Sequence, residues 1–417
     1  MDASVEAAVA DAHRREWAFV LAATVRVTGD IDLAEECVQE AYARALTTWP
    51  HQGVPARPGA WLTTVARRRA VDLLRRNATH DRVLPQLVDV DAGADHPSDP
   101  GAIADDRLRL IFTCCHPALA PESQVALTLR LVCGLTTSEV ARMFLVQEAT
   151  MAARITRAKK KIAAARIPYR VPAAGDLPAR IDAVLTVVHL VFTTGHTAPA
   201  GSDLVRTDLV ERALHLARML RTLLPADPDV AGLLALILLT DARRPSRTAA
   251  DGTLTLLPDQ DRSRWDADEI AEGLGLVREA LGRRPPGRFA LMAAIAAVHA
   301  EAPTWSATDW AELVGLYDLL ERIWPSPVVS LNRAVALGFA DGPAAGLAAL
   351  DALADEPQLA AYGYLASGRA DFLRRLGRHD EAAAAYGRAL ALTDNAVESE
   401  FLAARLAEAE RDARPAS

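Results

Sequence analysis

Apolar residues recur at helical spacing along almost the whole of this 417-residue chain. Alternating β-branched runs bounded by hairpin turns are nearly absent, so the sequence predicts an all-α fold. The chain is too long for one compact core, and about two to four domains are expected. Its longest apolar runs, such as residues 232–239, are much shorter than the roughly 20 residues that cross a bilayer, so no membrane segment is expected.

Two polar, proline-containing breaks divide this helical pattern. The first lies within residues 77–105 and predicts a flexible linker, because it is polar and acidic. The second, residues 167–178, contains three prolines that end a basic helix. We therefore expect one helical block over residues 1–76, a second over residues 106–172, and a long helical extension over residues 173–417.

One part of the extension has the character of a repeat. Residues 363–393 fit the tetratricopeptide helix-turn-helix pattern of about 34 residues, with Gly377 at the turn. Ala382, Tyr386 and Ala389 would then lie on the packing face of the second helix. Stacked helix pairs share a core that one pair cannot bury, so the extension is predicted to be a tetratricopeptide-like array, with a protein or peptide as its expected partner.

Charge is distributed unevenly along the chain. The net charge of −8 argues against a nucleic-acid-binding surface over the whole molecule. However, residues 1–172 carry 22 basic and 20 acidic side chains, and the remaining residues carry 24 and 34. The protein's three lysines are adjacent, within residues 149–175, a stretch with seven basic residues and no acidic one. A nucleic-acid site is therefore favoured in the second block.

The second block has the pattern of a helix-turn-helix. A helix over residues 121–133 is predicted to end at Gly134, Thr137 is predicted to cap the next helix, and a short turn at residues 146–147 precedes a third. In this motif the last helix places its N-terminal half in the major groove. Its outward, candidate DNA-contacting residues are Thr150, Arg154, Arg157, Lys159 and Lys160. The alternative is an ordinary solvated basic helix.

The first block contains an acidic helix followed by a basic one. The polar face of the acidic helix comprises Asp32, Glu35, Glu36, Gln39 and Glu40. A Pro/Gly-rich loop over residues 50–59 follows, and the next helix is predicted to project arginines outward: Arg67, Arg68, Arg69, Arg75 and Arg76. Two faces of opposite charge indicate two different partners.

The segments AEECVQEAYARAL and WLTTVARRRAVDLLRR, with the helix-turn-helix that follows, resemble regions 2 and 4 of bacterial extracytoplasmic-function (ECF) RNA polymerase sigma factors. The later part of the chain resembles one long ECF subgroup with a tetratricopeptide-like extension. The segments that carry this second resemblance are FTCCHPALAPESQVALTLR, DARRPSR, QDRSRWD, AAIAAVHAEAP and PSPVVSLNRAVAL.

The resemblance implies a transcription initiation factor in the cytoplasm, with core RNA polymerase (β′ clamp and β) and promoter DNA as partners. The acidic face would dock on the β′ clamp helices. The loop over residues 50–59, with Arg57, would hold an unstacked base of the minus-ten element, and the arginines of the next helix would contact DNA around it. The last helix of the second block would read the minus-thirty-five element. Trp61 is expected to pack in the core, so the residue that stacks on the base is left open.

Two alternatives remain open at this point. The chain can be a helix-turn-helix regulator that acts without polymerase and uses a tetratricopeptide-like sensor, although such a regulator has no reason to carry the block over residues 32–76. Alternatively, the extension can hold regions 2 and 4 closed, in place of a separate anti-sigma protein.

The Cys114-Cys115-His116 tripeptide invites a zinc assignment. Structural zinc sites need two ligand pairs separated by a loop, and only Cys133 and distant histidines remain to supply the second pair, so burial of the cysteines is favoured, as it is for Cys37 on the apolar stripe of its helix. The sequence contains no phosphate loop, nucleophile elbow or dinucleotide fingerprint. We therefore expect no metal, no cofactor and no enzymatic activity.

The extension has one charged candidate site. The segments DARRPSR and QDRSRWD flank a predicted loop over residues 245–265 and supply four candidate anion ligands: Arg243, Arg244, Arg262 and Arg264. The alternative is a salt-bridge network that fixes this loop to the helical array.

Overall fold

The structure is a computed structural model that describes residues 3–80, 100–144, 146–173 and 175–414. It is helical almost throughout, which confirms the all-α prediction. The chain divides into two compact units, Met1–Val187 and Val188–Ser417. No helix in the described part of the chain is both long and apolar enough to cross a membrane.

The first unit contains both predicted helical blocks. Its helices are α1 (Ala3–Thr28), α2 (Ile31–Gln52), α3 (Pro58–His80), α4 (Pro100–Cys114), α5 (Pro121–Leu127), α6 (Thr137–Met143) and α7 (Glu148–Ala164). A further helix, α8 (Leu177–His196), begins in the first unit and ends in the second. Both ends of the predicted linker over residues 77–105 are helical, because α3 continues to His80 and α4 begins at Pro100. Its middle, residues 81–99, lies outside the described residues.

Helices α1, α2 and α3 pack around large buried side chains that include Leu21, Trp49 and Leu62. Burial of each such side chain contributes about 1.5–3 kcal/mol. Trp17 of α1 is also buried and donates a hydrogen bond from its indole Nε1 to the Leu131 carbonyl, at 3.1 Å. The two predicted blocks are therefore packed against each other within one unit.

The helix-turn-helix differs in two details from its prediction. Helix α5 stops at Leu127, and a π-helical turn, Thr128–Val132, continues the chain to Gly134, whose φ of 71° ends it. The N-cap of α6 is Thr136, so the prediction of Thr137 was wrong by one residue. The Thr136 hydroxyl accepts from the Glu139 amide at 3.2 Å, and the Glu139 carboxylate accepts from the Thr136 amide at 2.7 Å. This reciprocal capping box needs a three-residue spacing, which Thr136 supplies.

The second unit is a succession of helices with one very short sheet. The helices are α9 (Thr207–Leu223), α10 (Pro228–Asp241), α11 (Ala267–Leu281), α12 (Arg288–Glu301), α13 (Trp310–Ile323), α14 (Pro327–Ala340), α15 (Pro343–Asp351), α16 (Gly363–Arg375), α17 (His379–Ala391) and α18 (Ala396–Asp412). Helix α10 is buried on all sides, as its apolar sequence requires. Two parallel strands, Ala200–Gly201 and Asp394–Asn395, pair Ala200 with Asp394 and Gly201 with Asn395.

The helix-turn-helix expected over residues 363–393 is present as α16 and α17. Gly377 lies at the turn with a φ of 73°, and Ala382, Tyr386 and Ala389 are buried. Assignment of this hairpin and its neighbours to a tetratricopeptide array stays a prediction.

Candidate functional site

The acidic face of α2 is divided into an exposed and a buried part. Asp30 caps the helix by accepting from the Leu33 amide at 2.9 Å, which fixes where the face begins. Four residues of the predicted face are exposed: Asp32, Glu36, Gln39 and Glu40. Glu35 is buried, with 7% of its side chain exposed. The face is therefore not presented to a partner as one continuous patch.

Two cations from the second block surround Glu35. Arg130 lies 2.8 Å from one carboxylate oxygen, and Lys159 contacts the other. The Lys159 ammonium also lies 2.7 Å from the Asp32 carboxylate. Burial lowers the pKa of Lys159, but the two carboxylates outweigh that effect and raise it. The charges thus bind α2 to α7 directly.

An open cleft lies where these groups meet. Arg130 contributes to it from the π-helical turn, and its guanidinium lies 5.5 Å from the centre of the Trp17 ring. The residues that line the cleft are Asp32, Glu35, Glu36, Gln39, Arg130, Thr137, Ala152, Ile155, Thr156 and Lys159. The proposed protein-binding face and the proposed DNA-reading helix therefore share one cleft in this arrangement.

Helix α7 presents most of its predicted DNA-contacting side chains to solvent. Thr150, Arg157 and Lys160 are exposed. Arg154 is partly exposed, with its guanidinium 5.6 Å from the centre of the Phe144 ring. Lys159 was expected among these outward residues, and the structure corrects that placement: only 13% of its side chain is exposed.

The spacing of the apolar residues in α7 explains the position of Lys159. It follows the buried Ile155 by four residues and precedes the buried Ile162 by three. Residues three and four apart lie on the same side of a helix, so Lys159 belongs to the inward stripe.

The arginines attributed to the minus-ten contact differ in exposure. Arg57, Arg68, Arg75 and Arg76 are exposed. Arg69 lies 2.7 Å from Glu40, and 28% of its side chain is exposed. Burial and the nearby charge of Arg26 lower the pKa of Arg67. The exposed members are therefore better placed than Arg67 and Arg69 to contact a polyanion.

Trp61 is only partly exposed and packs edge-to-face on the buried Trp49, with ring centres 5.6 Å apart. This position agrees with its expected packing in the core. The loop before α3 is shorter than predicted, because α2 continues through Pro50 to Gln52 and α3 begins at Pro58.

Sequence reasoning missed Arg130 and Tyr169. Arg130 is the one charged residue in the apolar run TLRLV, and a lone charge in such a run is a signal for a buried partner. Tyr169 donates from its hydroxyl to the Ala22 carbonyl at 3.0 Å and to the Asp106 carbonyl at 3.1 Å. It thereby fixes the segment after α7 to both α1 and α4.

All four cysteines are buried, and none of them forms a disulfide. Burial raises the pKa of Cys37 to about 11 and that of Cys115 to about 12. Metal binding and redox chemistry both need the thiolate, and burial, which also raises the pKa of Cys114, disfavours the thiolate at these three positions. Among the described residues, no group of three or more His, Cys, Asp or Glu side chains is placed to hold a metal ion.

The four arginines predicted as a site in the extension have different surroundings. Arg244 lies 3.2 Å from Asp241. Arg262 donates to the carbonyls of His299 and Ala302, at 2.7 and 2.6 Å. Arg264 is exposed, and Arg243 is partly exposed.

Comparison with known families assigns both parts of the first unit. The model for Sigma-70 region 2 matches residues 13–79, and the model for Sigma-70 region 4 matches residues 109–162. A family of unknown function, DUF6596, matches residues 180–281. No solved structure matches the chain.

Individual relatives agree with these assignments. The uncharacterized protein R00370 of Rhizobium meliloti is 44% identical over 391 residues, which is 93% of this chain and 92% of that protein. The ECF RNA polymerase sigma factor SigL of Mycobacterium tuberculosis is 32% identical over 37% of this chain and 86% of its own length. The probable ECF sigma factor SigI of the same species is 30% identical over 38% of this chain and 56% of its own length. Since regions 2 and 4 occur in this order and the match spans most of SigL, the chain belongs to the ECF RNA polymerase sigma factor family.

Proposed function

We propose that this protein binds core RNA polymerase, delivers it to promoters with minus-ten and minus-thirty-five elements, and is regulated by its C-terminal extension. The observation that carries the proposal is the pairing of regions 2 and 4 in one unit, with carboxylates exposed on α2 and cations exposed on α3 and α7. The proposal places the protein in the cytoplasm, where polymerase and chromosome are found, and assigns it no catalytic activity.

Asp32, Glu36, Gln39 and Glu40 form the exposed surface that would dock on the β′ clamp, and Asp32 and Glu40 would exchange their ion pairs with Lys159 and Arg69 for polymerase contacts. Arg57, Arg68, Arg75 and Arg76 are positioned to neutralise phosphates near the minus-ten element. On α7, Arg154 is the candidate base reader, because an arginine makes two hydrogen bonds to guanine, while Arg157 and Lys160 are better suited to phosphates. Glu35, Arg69 and Lys159 become available only when their ion pairs open.

The contact between α2 and α7 has to open before both promoter elements can be read. Elements at minus ten and minus thirty-five are separated by about 25 base pairs, or roughly 85 Å of duplex at about 3.4 Å per step. Lys159 and Glu35 are in direct contact, so α2 and α7 are much closer together than this. We infer that the unbound protein is closed and that polymerase, by binding the open form more tightly, shifts the population toward it.

Run-off transcription with purified core polymerase and genomic promoter fragments tests the central claim. We expect a discrete, promoter-specific transcript that depends on this protein. If no genomic fragment yields one, and the protein alone binds DNA specifically, the regulator that acts without polymerase is the correct assignment.

Binding of core polymerase without DNA tests the docking surface. We expect Glu36→Lys to weaken that binding by at least about tenfold, since charged interface pairs contribute on the order of 1.5 kcal/mol or more. Glu122→Lys is the matched control, because Glu122 is also exposed but lies on α5. Equal loss in both variants would contradict a specific role for α2.

Promoter choice tests the recognition helix. Arg154→Ala should reduce transcription from the native promoter by about 5- to 150-fold, the equivalent of a 1–3 kcal/mol base contact, and should leave core affinity unchanged. Arg170→Ala, an exposed arginine outside α7, should change neither quantity.

Removal of residues 198–417 tests regulation by the extension while keeping α8 whole. Both halves of α8 bury apolar side chains, Ile181, Val184 and Leu185 in the first half and Val188, Val191 and Phe192 in the second. Circular dichroism and gel filtration of the truncated protein therefore have to show that it is folded and not aggregated before its activity is compared. A higher transcript yield would indicate an inhibitory extension and a lower yield a supporting one. An unchanged yield would contradict regulation by the extension, and with it a regulatory protein or peptide partner there.

A further inference from the structure

The loop between α10 and α11 brings three arginines together in the second unit. Arg243 and Arg247 follow α10, and Arg262 precedes α11. The loop is held in place by Trp265, whose indole donates to the Ser246 hydroxyl at 2.8 Å, and by a hydrogen bond that the Asp266 backbone amide donates to the Ala242 carbonyl at 2.9 Å. The arginines are therefore on a fixed segment.

Two of these arginines hold the C-terminal ends of helices. Arg262 donates to the His299 and Ala302 carbonyls at the end of α12, and its guanidinium lies 4.4 Å from the centre of the Trp265 ring. Arg247 donates to the His196 carbonyl at the end of α8 and to the Thr197 hydroxyl at 3.1 Å. One nitrogen of Arg262, Nη2, is buried without an acceptor among the described residues.

Arg243 differs from both neighbours. Within the described part of the chain its guanidinium has no hydrogen-bond or ion-pair partner, and the carboxylate of Asp241 is paired with Arg244 instead. Burial and the charges of Arg247 and Arg262 lower the pKa of Arg243 to about 10. The residue as a whole is partly exposed.

Two histidines, His196 and His299, lie close enough to these arginines to be affected by their charge. Burial and the arginine charges lower the pKa of His299 to about 4 and that of His196 well below its usual value. The Nδ1 atom of each is buried without a hydrogen-bond partner in the described residues. Glu398 and Asp241 favour the charge of Arg247, where burial still lowers the pKa to about 10. Among the described residues, neither carboxylate pairs with Arg243.

We propose that Arg243, with Arg247 and Arg262 beside it, binds the phosphate group of a small molecule. A guanidinium presents two parallel donors that match phosphate oxygens, and the described residues place no acceptor on the Arg243 guanidinium. A phosphate dianion compensates more of the three-arginine charge than a single carboxylate does. The site differs from the one expected from sequence, since Arg247 takes part in it while Arg244 is neutralised and Arg264 is exposed.

Thermal unfolding of the full chain, titrated with inorganic phosphate at constant ionic strength, tests this site independently of transcription. We expect a saturable rise in the melting temperature of about 3–8 °C for the wild type. Arg264→Gln, on the same loop but exposed, should show the same rise. Arg243→Gln should show at least tenfold weaker phosphate binding.

The Arg243→Gln variant also separates a ligand site from a structural role. Without phosphate it should melt no lower than the wild type, because it removes an uncompensated positive charge. A lower melting temperature, no phosphate effect on the wild type, or an equal effect on Arg243→Gln would each overturn the proposal. If acetate raised the melting temperature as much as phosphate does, the site would bind anions in general, and that result would also overturn the proposal.

Discussion

Glu35 places a buried carboxylate between two cations that come from a different part of the chain, Arg130 and Lys159. A buried ion pair is weak evidence for net stability, because desolvation offsets much of the attraction. Removal of one member is nevertheless costly, since the remaining charge is left buried and incompletely paired. We therefore expect the Glu35 group to contribute more to the specificity of the arrangement in the first unit than to its net stability.

We expect Lys159→Gln to lower the free energy of unfolding by about 1–3 kcal/mol, since Glu35 loses one of its two cationic partners. Lys160→Gln is the matched control, because the neighbouring Lys160 is exposed, and it should change stability by no more than about 0.5 kcal/mol. Urea unfolding at low and high salt measures both variants. Equal effects would show that the Lys159 contact contributes nothing to folding.

Glu269 in the second unit should make stability depend on pH. Burial, with the charges of Asp241 and Asp266, raises its pKa to about 7. The folded state then binds more protons than the unfolded state between about pH 4.5 and 7. The free energy of unfolding that protonated Glu269 contributes is therefore lost as the pH rises through that range.

Glu269→Gln should therefore gain stability relative to the wild type at pH 8 and gain little at pH 4.5, as measured by urea midpoints at the two values. Glu272→Gln on the same helix breaks an ion pair with Arg218 and should not be more stable than the wild type at pH 8. If the stability difference between Glu269→Gln and the wild type were the same at pH 4.5 and pH 8, that result would contradict the prediction.

At the scale of elements, small residues determine how closely helices approach. Gly338 on α14 and Gly346 on α15 lie against each other and against the ring of Phe372 on α16, so a Cβ atom at either position would overlap with its neighbours. Gly315 on α13 has no atom within 4 Å of the position of an added Cβ.

Gly338→Ala should lower the free energy of unfolding by about 1–3 kcal/mol, because the added methyl group overpacks the contact between the helices. Gly315→Ala should raise it by about 0.5–1 kcal/mol, since alanine is the better residue inside a helix. Denaturant unfolding of the full chain compares them directly. If Gly338→Ala and Gly315→Ala changed the free energy of unfolding in the same direction, that result would contradict the close packing described for α14, α15 and α16.

Most helices could be predicted from the sequence because their apolar periodicity and their end signals are local. The ends were less predictable. No proline or glycine follows Gly59 before Pro85, and α3 accordingly continues to His80, beyond the predicted end of the block. The π-helical turn after α5 has no comparable local signal. Its geometry depends on packing against α1 and α4.

At the scale of the molecule, we propose that the first unit is a closed form of two modules that separate when polymerase binds. Paramagnetic labels at Arg44→Cys on α2 and Ala163→Cys on α7, both exposed positions, would report their distance. The buried native thiols should label slowly by comparison. We expect one short distance in the free protein and an increase of tens of ångströms with core polymerase and promoter DNA. A distance that stays short in an active complex would contradict opening.

Sequence alone determined the helical class, the order of the two sigma regions, the amphipathic character of α7 and the acidic composition of the extension, because each depends on residues close together in the chain. Only the tertiary structure decided that Glu35 is buried, that Lys159 faces inward, and that Asp241 pairs with Arg244 and not with Arg243. Those outcomes depend on which distant side chains meet. Since residue 35 and residue 159 are separated by 123 others, no local pattern specifies that contact, and packing of the two regions creates it.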